Sequence, residues 1–302
     1  MTNRLKDKVA IITGSGIGIG REIALAMAKE GAKVVTNNRK PGNPEGDAKT
    51  TAQQIISIGG EAIPFFGDIS DFETARKLIN TALDTYGSVD ILMNNAASYD
   101  ERNTPWELSE EGWDNTIRVH LKGTFNCIHH ALGFMKGQGW GRIINTTSRL
   151  WLGTTDWCNT STADAGIVGL TRAVAKDIGR YGVTCNAYAP RAKTGRSGSA
   201  SVERFKRDYE LGLVDKRMLE SIINRAGPEV MPPIVMYLAT DEAANINGQV
   251  FGVMGGEVCI FSNPVEDKII KKEEGFWILD ELVELVPTVL LKGYQNPAPP
   301  NT

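Results

Sequence analysis

The sequence predicts a doubly wound α/β fold: a seven-stranded parallel sheet with helices on both faces, plus a C-terminal helical extension. Three observations lead there. Apolar runs of strand length alternate with amphipathic runs of helix length through residue 256, and strands buried on both faces read as such continuous apolar runs. A glycine-rich stretch, Thr13-Gly14-Ser15-Gly16-Ile17-Gly18-Ile19-Gly20, stands between the first strand and the first helix. The 302 residues exceed the ~250 of a large α/β domain by too little to make a second one. Residues 1–256 are therefore expected to form one domain and 257–302 an appendage serving assembly.

The elements follow in order. Residues 8–13 (KVAIIT) read as a buried strand, and 18–30 as a helix stopped by Gly31. Residues 33–36 and 61–66 are strand-like on either side of a helix over 47–58. Asp71 precedes FETARKLINTALDTY as a helix N-cap. Residues 89–93 (VDILM), 141–146 (GRIINT), 183–188 (VTCNAY) and 248–253 are the remaining strands. Long helices span 110–135 and 163–181, and a short one spans 232–238. Residues 191–227 are polar with Gly and Ser early, then helix-forming. Right-handed crossovers between parallel strands then give the doubly wound arrangement.

In the appendage, Trp277, Ile278, Leu282, Leu285, Val286, Val289 and Leu290 recur at helical spacing, and Pro287 is expected to kink or split the helix. The helix is expected either to pack on its own domain or to contact another subunit. The closing NPAPPNT reads as unfolded.

Composition narrows the function classes. Hydrophobic residues make up 41% and charged residues 23%, which excludes a disordered or fibrous chain. The net charge of −3 gives no footprint for nucleic acid or an anionic membrane. No apolar run approaches the ~18 residues that span a bilayer, and Asp280, Glu281 and Glu284 make the tail too acidic for a membrane anchor. The first eight residues are polar and lack the pattern of a secretory leader. Cys127, Cys158, Cys185 and Cys259 show no C-x-x-C spacing and read as reduced cytosolic thiols. With only His120, His129 and His130, no zinc site is expected.

The glycine stretch is where a pyrophosphate would sit. Gly14 permits the turn, Gly18 lets the backbone approach phosphates, and Gly20 lets helix and strand pack closely. With its T-G-x-x-x-G-x-G spacing, the chain resembles the short-chain dehydrogenase/reductase family. Asn94-Asn95-Ala96-Ala97 matches the family's N-N-A-G, with Ala97 replacing glycine. Asp68 matches the aspartate that faces adenine, and Asn186-Ala187-Tyr188-Ala189-Pro190 matches N-A-x-A-P. The resemblance covers about residues 5–256 and implies a Rossmann-type domain. The tail, GFWILDELVELVP, looks like the extension of relatives of 3-hydroxyacyl-CoA dehydrogenases. The resemblance implies NAD(P) held by Gly14, Ser15, Gly18, Ile19, Gly20, Asn38, Arg39, Asp68, Asn94, Ala96 and Pro190. Asn38 stands where NAD-using members carry aspartate, and Arg39 could pair with a 2′-phosphate. NADP is therefore slightly favoured, with Arg39 as a plain surface residue the alternative.

The catalytic positions depart from the family. The resemblance implies a tyrosine as proton donor, a lysine four residues later, a serine that orients the carbonyl, and an asparagine on the preceding long helix. Ser148 holds the serine position. Ala165-Gly166-Ile167-Val168-Gly169-Leu170-Thr171 sets the register, which puts Thr160 at the tyrosine position, Asp164 at the lysine position and His120 at the asparagine position. A threonine hydroxyl is a far weaker acid than a tyrosine near an ammonium, and a neighbouring carboxylate weakens it further. Losing general acid–base catalysis typically costs ~10² to 10⁴ in rate.

None of these four residues is therefore expected to be active. The expectation is a non-catalytic subunit that supports an active family member. The assembly would be a hetero-oligomeric dimer or tetramer, an NAD(P)-dependent hydroxyacyl-CoA-type dehydrogenase with a CoA thioester at the partner's site. Nucleotide binding by this chain would then survive without turnover or remain as a vestige. Two other readings stay open: an active oxidoreductase with an altered proton relay, and a nucleotide- or ligand-sensing binding protein.

Overall fold

The computed structural model describes residues 3–98, 101–193, 199–214 and 216–294. The strands are β1 (Val9–Ile12), β2 (Lys33–Asn38), β3 (Glu61–Phe66), β4 (Ile91–Asn94), β5 (Gly141–Thr146), β6 (Val183–Arg191), β7 (Val250–Met254) and β8 (Glu257–Ile260). The helices are α1 (Gly18–Lys29), α2 (Ala48–Ser57), α3 (Phe72–Tyr86), α4 (Glu110–Thr116), α5 (Gly123–Gln138), α6 (Cys158–Ile178), α7 (Ser199–Glu210), α8 (Lys216–Ile223), α9 (Pro232–Leu238) and α10 (Leu279–Leu285).

The strands lie in the order β3-β2-β1-β4-β5-β6-β7-β8. β1 to β7 are parallel, and β8 runs antiparallel to β7. Successive strand residues point to opposite faces, so the sheet feeds two cores. Ala10, Ile12, Val34, Ile91, Met93 and Ile144 pack against α1, α2 and α9 through Ile23, Met27, Ile55, Val235 and Leu238. Val9, Ile11, Val35, Leu92 and Ile143 pack against α3, α5 and α6 through Leu78, Ile79, Ile128, Met135 and Ile178. The order reverses between β1 and β4, and the crevice for a ligand opens there at the carboxyl ends of the strands.

Local chemistry sets the helix ends. The Asp71 carboxylate accepts from the Thr74 N–H at 2.7 Å and caps α3, as its place before FETARKL predicts. Asp47 and Thr50 form a reciprocal capping box at the start of α2. Gly87 ends α3 in the left-handed conformation, with φ of 85°.

Four features differ from the sequence reading. The sheet has eight strands rather than seven. Gly255-Gly256 closes a hairpin that adds β8, so the expected boundary at 256/257 falls inside that hairpin. The helix predicted over 110–135 is continuous, but residues Ile117–Lys122 form a π turn between α4 and α5. Its wider hydrogen bonding has no sequence signature. α6 starts at Cys158 rather than 163, because Asn159 and Thr160 are buried against the body of the protein despite their low helix propensity. β6 runs on to Arg191 by pairing with β7 beyond the end of β5, where Pro190 costs little.

The appendage leaves from β8. Lys272 Nζ reaches both carboxylate oxygens of Glu281, at 2.7 and 2.6 Å, and the Phe276 carbonyl at 3.0 Å. α10 buries no residue and passes into a π turn at Val286–Leu290, around Pro287. Residues 296–302, read as unfolded, lie outside the described residues. Among the described residues, no helix is long and apolar enough to cross a membrane.

Arg142 on β5 is a fully buried cation. Its guanidinium donates to the carbonyls of Thr240, Gly141 and Gly182 at 3.1, 2.9 and 3.2 Å and pairs with Asp241 at 3.3 Å. Stripping it away removes a donor from each of three carbonyls, and each buried acceptor that loses its donor costs about 1 kcal/mol or more. Arg142→Met is expected to lower the unfolding free energy by about 3 kcal/mol, measured by urea titration. A loss under about 1 kcal/mol would show that water replaces the guanidinium at those carbonyls.

Candidate nucleotide and active site

The turn between β1 and α1 is built for close approach. Gly14 and Gly18 have φ of 63° and 58°, which only glycine adopts without strain. A Cβ at Gly14 would lie 2.9 Å from Ala96 Cα, and one at Gly20 would lie 2.4 Å from the Gly14 carbonyl oxygen. The first turn of α1 has no side-chain cap, so its N–H groups remain available to an anion. Gly16 belongs to the same cradle, since a Cβ there would lie 2.1 Å from Asn38 Oδ1 and 2.6 Å from Asp47 Cα. The sequence reading passed over Gly16, although it stands in the same motif. The cradle fits a dinucleotide pyrophosphate.

The other residues expected to bind nucleotide divide into struts and crevice groups. Ser15 is a strut: its N–H donates to the Asn37 carbonyl and its Oγ accepts from the Asn37 N–H, both at 2.9 Å. Ile19 packs against the core. Asn94 is buried and donates to Asn145 Oδ1 at 2.9 Å, and the Ala96 N–H donates to Thr13 Oγ1 at 3.0 Å. Asn95, outside the expected set, donates from Nδ2 to the carbonyls of Thr13 and Gly14, both at 3.1 Å. Pro190 lies half-buried near the end of β6.

On the β2 side, Asn38 keeps a buried Oδ1 without a hydrogen-bond partner among the described residues. Arg39 beside it is exposed. Asp68 accepts from the Ser70 N–H and Oγ at 2.9 and 2.6 Å and pairs with Arg118 at 3.1 Å. Burial alone would raise its carboxyl, but these hydrogen bonds outweigh it and hold Asp68 below the usual value.

Three of the four reaction-centre positions, His120, Ser148 and Asp164, come together. The π turn carries His120, whose Nε2 lies 3.5 Å from Asp164 Oδ1 and 3.4 Å from the Thr146 carbonyl. Ser148 Oγ donates to Asp164 Oδ2 at 2.5 Å. Thr160 lies one helical turn before Asp164 on α6. Thr160 and Asp164 are completely shielded from solvent and His120 is 1% exposed, while Ser148 is half-buried. Burial pushes the Asp164 carboxyl up to about 7, against the lowering effect of hydrogen bonds from Ser148 and Thr147. Thr160 Oγ1 has no hydrogen-bond partner among the described residues. Tyr188 offers no substitute acid, since it is fully buried in the core and burial raises its phenol.

The segment after β4 is tied to α7. Arg102, in the segment after β4, pairs with Asp208 of α7 at 3.2 Å and lies over the rings of Trp157 and Phe205. Arg191, at the position after Pro190, directs Nη2 to the Met218 sulfur at 3.1 Å. Part of the 191–227 segment, residues 194–198 and 215, lies outside the described residues.

The family model for short chain dehydrogenases matches residues 8–199. The chain belongs to the short-chain dehydrogenase family. Family members are NAD(P)-dependent oxidoreductases. A hydroxyacyl-CoA dehydrogenase, ChsB1, of Mycobacterium tuberculosis is 34% identical over 306 residues, covering 97% of this chain and 90% of the relative. The (2S)-[(R)-hydroxy(phenyl)methyl]succinyl-CoA dehydrogenase subunit BbsD of Thauera aromatica is 32% identical over 252 residues, covering 83% and 97%. The crystal structure of a short chain dehydrogenase from Mycobacterium avium is 35% identical with a TM-score of 0.80, and the match covers 98% of each chain. The first and third matches therefore take in the C-terminal appendage of this short-chain dehydrogenase as well as its sheet.

The raised Asp164 carboxyl links stability to pH. Its folded value of about 7 exceeds the ordinary 3.8, so between these values the folded state holds a proton that the unfolded state has released. Stability from this group is thus lost as pH rises from about 4 to about 7. The slope is at most roughly 1.4 kcal/mol per pH unit. Asp164→Asn removes the ionisation and is expected to raise the melting temperature by more at pH 8 than at pH 5. Melts showing equal shifts at the two pH values would remove Asp164 as the group responsible.

Proposed function

We propose that this short-chain dehydrogenase is a non-catalytic subunit of a heteromeric NAD(P)-dependent dehydrogenase of the hydroxyacyl-CoA type. It would support an active family member in a dimer or tetramer, with the CoA thioester at the partner's site. One observation carries the reading: Ser148 gives its proton to Asp164. In an active site that proton would be offered to the substrate carbonyl, and a lysine ammonium would stand where Asp164 lies. The single replacement thus disables the carbonyl-orienting hydroxyl and removes the cation that acidifies a proton donor. Thr160, buried beside it, has neither the reach nor the acidity of a tyrosine.

Other features support a partner. Phe125 and Phe134 of α5 are exposed, as are Leu279 and Val283 of α10; apolar surface of this kind commonly marks an interface. One similar protein, BbsD, is itself named as a dehydrogenase subunit. The intact glycine cradle supports retained nucleotide binding, and the lack of a carboxylate at Asn38 leans that binding toward NADP.

One observation favours a second reading, an active enzyme with an altered proton relay. Asp164 joins Ser148 on one side and His120 on the other, and a carboxyl at about 7 could exchange protons near neutrality.

Assays of the purified chain with NAD(P)H and a panel of β-ketoacyl-CoA thioesters separate the two. The chain alone is expected to show no turnover above background. Mass spectrometry of the complex it forms in its native cell is expected to identify a second family member with tyrosine and lysine in place. Turnover by the single chain, abolished by Asp164→Asn, would sink the subunit reading in favour of the altered relay. The pair Thr160→Tyr and Asp164→Lys, folded by circular dichroism, is expected to gain measurable reductase activity, because it restores the proton donor and the ammonium beside Ser148.

A further inference from the structure

Proteins of this fold bind a dinucleotide across the switch point, one mononucleotide on each half of the sheet. The glycine cradle, Asn38 and Asp68 occupy the β1–β3 half. Ser148 follows β5, and Asp164 reaches the same place from α6, so both stand on the β4–β6 half. That half receives the nicotinamide end when adenosine takes the other.

The charge there is unusual. Asp164 is completely shielded from solvent, its Oδ2 accepts the Ser148 proton, and its Oδ1 has no hydrogen-bond partner among the described residues. No lysine or arginine among the described residues forms an ion pair with it. The groups facing it are His120 from the π turn and Thr147 and Ser148 from the segment after β5, with Thr160 one turn earlier on its own helix. His120 is the one titratable group of that set. Ser148 carries the polarity outward. With its proton turned inward and the Leu150 N–H bound at 3.1 Å, its oxygen keeps a lone pair and has no proton to donate to the crevice.

The two redox forms of a nicotinamide nucleotide share their phosphates, riboses and adenine. They differ in one ring, which is a pyridinium cation when oxidised and neutral when reduced. A buried carboxylate acts on that difference through low dielectric, where charge is weakly screened.

We infer that Asp164 makes this chain selective for redox state, binding NAD(P)⁺ in preference to NAD(P)H. The inference rests on the nucleotide-holding part of the proposed function and is independent of the partner. A subunit that holds nucleotide without turning it over would then sense the oxidised form without consuming it.

Isothermal titration of the purified chain with NADP⁺, NADPH, NAD⁺ and NADH at pH 8 tests this. The oxidised form is expected to bind on the order of tenfold tighter, the size of one screened charge contact. Asp164→Asn is expected to bring the two forms within about twofold of each other. Asp164→Lys is expected to reverse the order. Should neither variant fold, the unaltered chain still decides. Its preference is expected to shrink at pH 6.5, where Asp164 gains a proton. Equal affinities at pH 8, tighter binding of the reduced form, or a preference that survives Asp164→Asn would each overturn the inference while leaving nucleotide binding intact. No binding of any of the four nucleotides would overturn both the inference and the nucleotide-holding reading beneath it.

Discussion

A seam of hydrogen bonds at the carboxyl ends of β1, β4 and β5 joins the two halves of this molecule. Thr13 Oγ1 accepts from the N–H groups of Asn95 and Ala96, and Asn95 returns its amide to the carbonyls of Thr13 and Gly14. Asn94 bonds to Asn145, and Asn145 donates in turn to Thr171 of α6 at 2.9 Å. The seam fixes the glycine turn against β4 and fixes α6 against β5. Both the phosphate cradle and the helix bearing Thr160 and Asp164 depend on it. Because the seam is buried or half-buried and its groups are paired, Asn94 Oδ1 apart, the two ends of the crevice keep their spacing whatever chemistry the crevice performs.

That separation of frame from chemistry explains how the fold tolerates Asp164. A carboxylate without a cation is costly to bury. The cost is met locally by Ser148 and by a carboxyl that keeps its proton until near neutral pH. The frame contributes nothing to this and loses nothing by it. A site can therefore lose its proton relay while its nucleotide cradle stays intact, since Gly14, Gly16 and Gly20 are constrained by Asn38, Asp47, Asn95, Ala96 and the turn itself rather than by anything near α6.

Much of this was legible in the chain itself. Continuous apolar runs located the strands, because both sheet faces are covered. The glycine spacing located the cradle, because only glycine fits the turn at Gly14 and Gly18. The register of Ala165-Gly166 to Thr171 located the altered positions Thr160 and Asp164, although the helix expected there begins only at 163, after Thr160. The hairpin to β8 was also written there, as Gly255-Gly256 between two short apolar runs, but four exposed residues do not read as a strand. Side-chain partnerships were not legible. Nothing in the string separates Asn94, a buried strut, from Asn95, which clamps the glycine turn. Nor does it show that Ser148 turns its proton inward, because that depends on the meeting of two segments sixteen residues apart.

The π turn at Ile117–Lys122 has an effect beyond aiming His120. An α-helix advances about 100° per residue, and a π turn accommodates one extra residue without lengthening the helix by a full step. It therefore works as a phase adjuster between α4 and α5. Upstream, Thr116 faces α6 and accepts from the Asn159 amide. Downstream, Cys127, Ile128, Ala131 and Met135 face the sheet. The two stripes belong to different angular registers, and the turn between them reconciles the two. One long helix can thus serve the crevice with its first half and the core with its second.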